Sequence, residues 1–176
     1  SGGAHLLLQI DEEVYIADRL MTMESDIRRI LRTERIGVRV LGTQDMTVNF
    51  ALRDAADAET VREELSGIGD GFLIVVNDDG TMTVTMTEEG LTLGLSDAIE
   101  RTIEVLGKRI DPNGVLEPII TRQGRERILV QVPGLDNTEE LKGRLGQTAK
   151  LTFHLVDDEA SVSAAQEGNL PVGSVL

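Results

Sequence analysis

Cysteine is absent from the 176 residues, which excludes thiolate chemistry, disulfides and the usual zinc ligand sets. That absence is compatible with an oxidising compartment. Aromatic side chains are nearly absent as well: Tyr15, Phe50, Phe72 and Phe153 are the whole set, too few for the stacking platforms that bind single-stranded nucleic acids. Basic residues number 17 against 31 acidic ones, and the resulting net charge of -14 repels phosphate backbones, so nucleic acid is excluded as a partner. No apolar run approaches the roughly 18 residues needed to cross a bilayer; the longest is Phe72 to Val76, and Leu6 to Leu8 is shorter still. The chain does not open with a basic start and an apolar stretch, so no signal peptide is expected. An opening inside Gly2-Gly3 reads as a boundary within a longer protein.

What is present is aliphatic. With 40% hydrophobic residues, a chain of this length can bury roughly 70% of its unfolded surface, enough for one globular body or two small modules. His5 to Ile10 is a nearly continuous apolar run ending at Asp11-Glu12-Glu13, which predicts a buried strand followed by a helix start. Val14, Ala17, Leu20, Met21, Ile27, Ile30 and Leu31 then recur at helical spacing up to Gly37. Val38 to Leu41, a turn at Gly42-Thr43-Gln44-Asp45, and the alternation Met46, Val48, Phe50 predict a hairpin. Ala58 to Leu65 reads as a shorter helix closed by Gly67 and Gly69. Phe72 to Val76 reads as a buried strand, and Asn77-Asp78-Asp79-Gly80 as a tight turn into Met82, Val84 and Met86.

The same order returns in the second half. Leu95, Ile99, Ile103, Leu106 and Ile110 form one helical stripe, stopped by Asp111-Pro112-Asn113-Gly114. A hairpin turning at Gln123-Gly124 carries Ile128, Val130 and Val132 on its second strand. Asp136-Asn137-Thr138 can cap a helix through Leu145, and Leu151 to Val156 reads as a final strand. Gly37-Val38 corresponds to Gly114-Val115, Asp54 to Asp136, and the strand of Phe72 to that of Phe153. The fold class expected is α+β: two ferredoxin-like βαββαβ modules, helices packed on antiparallel sheets. From Asp157 the pattern dissolves into Ser, Ala, Gln, Gly and Pro, either a tail or the start of a further element.

Candidate chemistry is thin. His5 and His154 lie in strands with no acid or serine placed for a triad, and packed or surface histidines are the preferred reading. Asp11-Glu12-Glu13 and Glu88-Glu89 could be carboxylate pairs, but each sits where a helix begins and the helix dipole favours negative charge. Asn77-Asp78-Asp79-Gly80 lacks the ligand alternation and the later bidentate Glu of a calcium loop. Asp157-Asp158-Glu159 reads as a solvated charge run. Neither phosphate-binding glycine motif is present. No catalytic, cofactor or metal residue is therefore expected, and the chain reads as no enzyme. Two classes remain open from the residues alone: a polypeptide-binding module, and a paired regulatory module of the ACT type binding a small ligand such as an amino acid.

Several segments, in order, resemble the SecD family of Sec translocon accessory subunits. Gly2-Gly3-Ala4-His5-Leu6-Leu7-Leu8 resembles the end of its D-L-[QR]-G-G-x-H-L-x-L segment. Thr102-Ile103-Glu104-Val105-Leu106 with Lys108-Arg109-Ile110 resembles T-I-E-V-L-x-x-R-[IV]. Gly114-Val115-Leu116-Glu117-Pro118 is similar to G-V-x-E-P, Arg122-Gln123-Gly124 to R-Q-G, and Arg127 to Gly134 to R-I-x-V-Q-[LV]-P-G. Ala149-Lys150-Leu151-Thr152-Phe153 is similar to A-x-L-x-F. The likeness is tight over 2–10 and 95–157 and loose over 12–90. It departs at Asp111-Pro112-Asn113, a proline-containing version of the usual stretch, and at Gly107 inside the helix.

The resemblance implies the periplasmic base of a multi-pass bacterial inner-membrane protein. Such a protein works with SecF and the SecYEG translocon, uses the proton-motive force to assist export, and contacts unfolded preprotein. The family's proton-conducting residues lie in transmembrane helices outside this chain, so no site residue carries over. Its head is inserted after the strand corresponding to Leu151 to Val156. The expected organisation is an inserted module at 12–86, a base module of 5–10 plus 88–156, and 157–176 leading towards the head. Because the turn at Asn77 to Gly80 is short, residues 81–86 should pair antiparallel with Phe72 to Val76, leaving His5 to Ile10 to pair beside Leu151 to Val156.

Overall fold

The computed structural model describes residues 3–145 and the strand 153–155. The described residues form an α+β fold, with four helices and two four-stranded antiparallel sheets among them. The chain divides into two compact units, one of residues 1–12 and 95–176 and the other of residues 13–94.

The second unit carries helix α1 (Glu12–Thr33), whose buried positions Leu20, Met23, Ile27 and Leu31 follow a 3-4-4 spacing along one face. The stripe expected from the sequence is thereby corrected. Val14 and Met21, seven residues apart, are 44% and 65% exposed, whereas Met23 is 8% exposed. Met21 is one residue past Leu20, a rotation of about 100° that takes it off the packed face.

Strands β2 (Val38–Gln44) and β3 (Thr47–Leu52) form a hairpin. Its turn is Asp45-Met46, not the four residues from Gly42 expected from the sequence. The ladder slips one residue between Val40 and Gly42 and then continues to the Gln44 and Thr47 pair, so a bulge carries the strand through the glycine. Asp45 takes the left-handed conformation, φ 52°, which two-residue hairpin loops require and Asp tolerates. A 3-10 turn, Ala55–Asp57, is opened by the Asp54 carboxylate accepting from Ala56 N at 2.9 Å and leads into α2 (Ala58–Glu64).

Strands β4 (Phe72–Val76) and β5 (Thr81–Met86) are joined by the predicted tight turn. Asn77 N donates to Thr81 O at 2.8 Å and Gly80, φ 83°, donates to Asn77 O at 3.0 Å. The sheet order is β2-β3-β5-β4. Val48, Phe50 and Leu52 of β3 and Met82, Val84 and Met86 of β5 are buried on one face.

The first unit is built on β1 (Gly3–Ile10). With β6 (Ile119–Gln123), β7 (Arg127–Pro133) and β8 (Phe153–Leu155) it forms a sheet of order β6-β7-β1-β8. Helix α3 (Glu88–Ile110) supplies Leu95, Ile99, Leu106 and Ile110, all fully buried. Helix α4 (Thr138–Leu145) is capped by Asn137, whose Oδ1 accepts from Glu139 N at 2.9 Å. Ala4, Leu6 and Leu8 join these helices and Ile128, Val130 and Val132 in one core. Leu7 and Leu129, opposite each other in register, are buried on the other face, which is why β1 reads as continuous apolar sequence rather than alternation.

Gly114-Val115 does not open a strand as Gly37-Val38 does. The Asp111 carboxylate accepts from the backbone N–H of Val115, Leu116 and Glu117 at 2.8, 2.9 and 3.1 Å, and the strand begins only at Ile119 after Pro118. The expected Leu151 to Val156 strand lies within the described residues only over 153–155.

Candidate functional site

Each residue singled out from the sequence is placed by its own element. His5 is exposed on β1 and stands opposite Gln131. The side chain of His154 and the run Asp157-Asp158-Glu159 lie outside the described residues. Glu12 and Glu13 open α1, and Glu12 Oε2 is 3.8 Å from Arg125 Nη2. Glu88 and Glu89 lie in the first turn of α3. Just before them Thr87 Oγ1 accepts from Gly90 N at 3.0 Å, so the local role of this segment is to start a helix.

Asn77 to Gly80 is held by its own side chains. The Asp79 carboxylate accepts from Thr81 N at 2.8 Å and from Thr81 Oγ1 at 2.6 Å. The Thr81 hydroxyl, then its backbone N–H, hold the Asp79 carboxyl below its ordinary range. Arg62 Nε donates to Val76 O at 3.0 Å, and its guanidinium meets Glu59 and Asp78. These bonds give the side chains of the turn a local structural role. Among the described residues no group of three His, Cys, Asp or Glu side chains is placed to hold a metal ion.

Buried chemistry is likewise satisfied. Thr102 is the one buried polar residue among those described, and its hydroxyl donates to Ala98 O at 2.7 Å. Every buried side-chain nitrogen or oxygen in the described residues has a partner. A shallow cavity of about 360 Å³ is lined by Val38, Arg39, Ala51, Leu52 and Arg53. Its charged groups are two guanidiniums, which cannot act as a base at neutral pH.

The structure leaves surfaces. The face of the β2-β3-β5-β4 sheet away from its buried residues presents Thr47, Asn49 and Ala51 from β3 and Thr81, Thr83 and Thr85 from β5, all partly exposed. Thr47 and Thr85 are cross-strand neighbours with their hydroxyls 2.8 Å apart. Beyond β5 this face ends on Leu73 and Val75 of the edge strand β4, 57% and 42% exposed. The sequence marked Phe72 to Val76 as buried, because five apolar residues in a row look the same in a central strand and at an unguarded edge.

Residues 99–158 match the family model described as "Protein translocase subunit SecDF, P1 domain, N-terminal". The chain is similar to protein translocase subunit SecD of Rickettsia felis, with 34% identity over 99% of this chain and 34% of that relative. SecD of Acetobacter pasteurianus is 36% identical over 89% of this chain and 31% of that protein. SecD of Pseudomonas aeruginosa is 31% identical over 95% of this chain and 27% of that protein. The chain thus spans about a third of the length of the curated relatives it matches. No solved structure matches it. No helix among the described residues is long and apolar enough to cross a membrane.

Proposed function

We propose that the chain, as a member of the SecD family of protein translocase subunits, is the extracytoplasmic base of such a subunit, a scaffold that contacts other polypeptides during export. The observation that carries this reading is the P1-domain match on residues 99–158, within a similarity to translocase subunits that runs through 99% of the chain. In this reading the intact protein sits in the bacterial inner membrane, with the present residues on the periplasmic side. It acts with SecF and SecYEG, draws on the proton-motive force, and meets unfolded preprotein. No step of chemistry is assigned to the chain itself.

The reading includes a wiring. Each unit is a ferredoxin-like βαββαβ module. Residues 12–86 form one, inserted between β1 and α3 of the other, which is made of 5–10 and 88–156. Two pairings support this: β1 lies between β7 and β8, and β5 lies between β3 and β4, so β5 fills in one sheet the place β1 fills in the other. The ACT-type alternative has no comparable support, since the relatives that match are translocase subunits.

The test replaces the 176-residue stretch in the full-length protein by a flexible linker. Membrane insertion of the protein should persist while maturation of exported preproteins slows. Unchanged export kinetics would contradict the proposed role.

A further inference from the structure

Among the described residues strand β4 is an open edge, because the order β2-β3-β5-β4 gives Phe72–Val76 a neighbour on one side only. Antiparallel pairs alternate between residues that exchange main-chain hydrogen bonds and residues whose main-chain groups point away. Asn77 N bonds Thr81 O, so by register the Val75/Thr83 and Leu73/Thr85 pairs face inward, and Phe72, Ile74 and Val76 present their main-chain groups to the open side. Both ends of that outer row are already engaged: Phe72 N donates to Gly69 O at 2.8 Å, and Val76 O accepts from Arg62 Nε at 3.0 Å. Between them stand Phe72 C=O, both groups of Ile74, and Val76 N–H.

Proteins guard such edges with charges, prolines or bulges. The edge strand β2 carries Arg39 and the bulge at Gly42, and the edge strand β6 is entered from Pro118 and carries Arg122. Strand β4, Phe-Leu-Ile-Val-Val, has none of these. Its exposed side chains Leu73 and Val75 stand beside Thr85 and Thr83 of β5 and continue that threonine row. Carboxylates bracket it: Asp70 precedes the strand, Asp78 and Asp79 follow it, and Glu59, Glu63 and Glu64 lie on α2, all exposed; Arg62 pairs with Glu59 and Asp78, which leaves Asp70, Asp79, Glu63 and Glu64 to set the sign of the surroundings.

This charge pattern selects the occupant. A second copy pairing antiparallel about Ile74 would set Asp70 of one chain against the Asp78-Asp79 turn of the other, where Arg62 pairs with Asp78 but Asp79 is held by the neutral Thr81; in a protein already at net charge -14, like charges brought together there are unfavourable. A foreign strand with apolar residues at alternate positions and Lys or Arg at its ends meets the reverse situation. We infer that the open edge of β4, centred on Ile74, accepts an extended, unfolded polypeptide segment as an additional strand, its apolar residues beside Leu73 and Val75 and its basic ends against Asp70 and Asp79. The inference rests on the polypeptide-contact reading and gives it a location. Main-chain bonds supply sequence-tolerant binding in strand addition, which suits a surface that meets many different chains.

The test uses the 176-residue chain and a synthetic peptide of alternating Val and Thr flanked by Lys pairs. Amide exchange at Ile74 and Val76 should slow on peptide addition, and exchange along β2 and β6 should not. N-methylating alternate peptide residues, which removes the bonding N–H groups without altering the protein, should weaken binding about tenfold or more, as should replacing the Lys pairs by Asp pairs. No binding, equal binding by the N-methylated peptide, protection elsewhere, or protection of Ile74 by raised protein concentration alone would overturn the inference. Failure here leaves the broader reading standing if photocrosslinks to preprotein form from other positions of the full-length protein. Absence of crosslinks from every position removes both.

Discussion

Gly71 and Gly90 meet main chain to main chain: a Cβ on Gly71 would stand 2.6 Å from Gly90 Cα, and a Cβ on Gly90 would be closer still to the Gly71 carbonyl. Around this contact Gly71 O accepts from Thr87 N at 2.9 Å and from Thr87 Oγ1 at 3.1 Å. The loop before β4 is thereby tied to the first turn of α3.

The contact reverses an ordinary rule. Glycine to alanine inside a helix gains about 1 kcal/mol, yet Gly90→Ala should lose about 1 to 3 kcal/mol because backbone must move to admit the methyl group. Gly107→Ala, where the nearest neighbouring atom to an added Cβ is Ile120 Cδ1 at 3.8 Å, should gain up to about 1 kcal/mol. Urea unfolding of both variants reads the signs, and stabilisation by Gly90→Ala would contradict the packing.

Thr87→Ala removes the cap on Gly90 N and one of the two bonds to Gly71 O. A loss of about 1 to 2 kcal/mol is expected, with faster amide exchange in the first turn of α3. Thr87→Ser should retain most of the stability, since the hydroxyl carries both bonds.

The two nearby methionines of α1 separate exposed from packed positions. Met23→Ala should cost about 2 to 5 kcal/mol, whereas Met21→Ala, at 65% exposure, should change stability by no more than about 0.5 kcal/mol. Thermal or chemical unfolding of the pair checks the orientation of the helix.

Asp111 gives a pH signature. Burial raises its pKa, but the backbone N–H donors of Val115, Glu117, Leu116 and Gly114 outweigh that and hold the carboxyl below its ordinary value. A depressed folded pKa adds stability above the unfolded carboxyl pKa, about 4, and that contribution is lost as pH falls through the folded value. Asp111→Asn should therefore melt lower than the parent at pH 7, and the gap should narrow below about pH 4. A gap independent of pH would mean that the carboxylate charge is not what holds the loop.

Element type was legible wherever one period governed a segment. The stripe from Leu95 to Ile110, the alternation Met82, Val84, Met86 and the turn at Asn77 to Gly80 all appear as read. Reading failed where geometry is set by pairing. The bulge that carries β2 through Gly42 depends on β3 opposite it, and a glycine in isolation signals a turn. The Asp111 hub was read only as a helix stop, since which N–H groups a carboxylate will collect depends on where the following loop folds back. The contact of Gly71 with Gly90 joins residues 19 apart and leaves no periodic trace. For the candidate surface, composition excluded most chemistry, but only the sheet order distinguishes an open edge from a buried strand at Phe72 to Val76.

In the proposed role the chain contacts a polypeptide in transit. The most direct test of that contact is site-specific photocrosslinking from the full-length protein in membranes, with a photoreactive residue at Leu73 or Val75 and controls at Met21 and Val115, all exposed. With a preprotein arrested midway through the translocon, crosslinks to preprotein should form from positions 73 and 75 and disappear once it is released. Absence of preprotein crosslinks from all four positions during arrest, or equal yields with and without the arrested chain, would contradict the account.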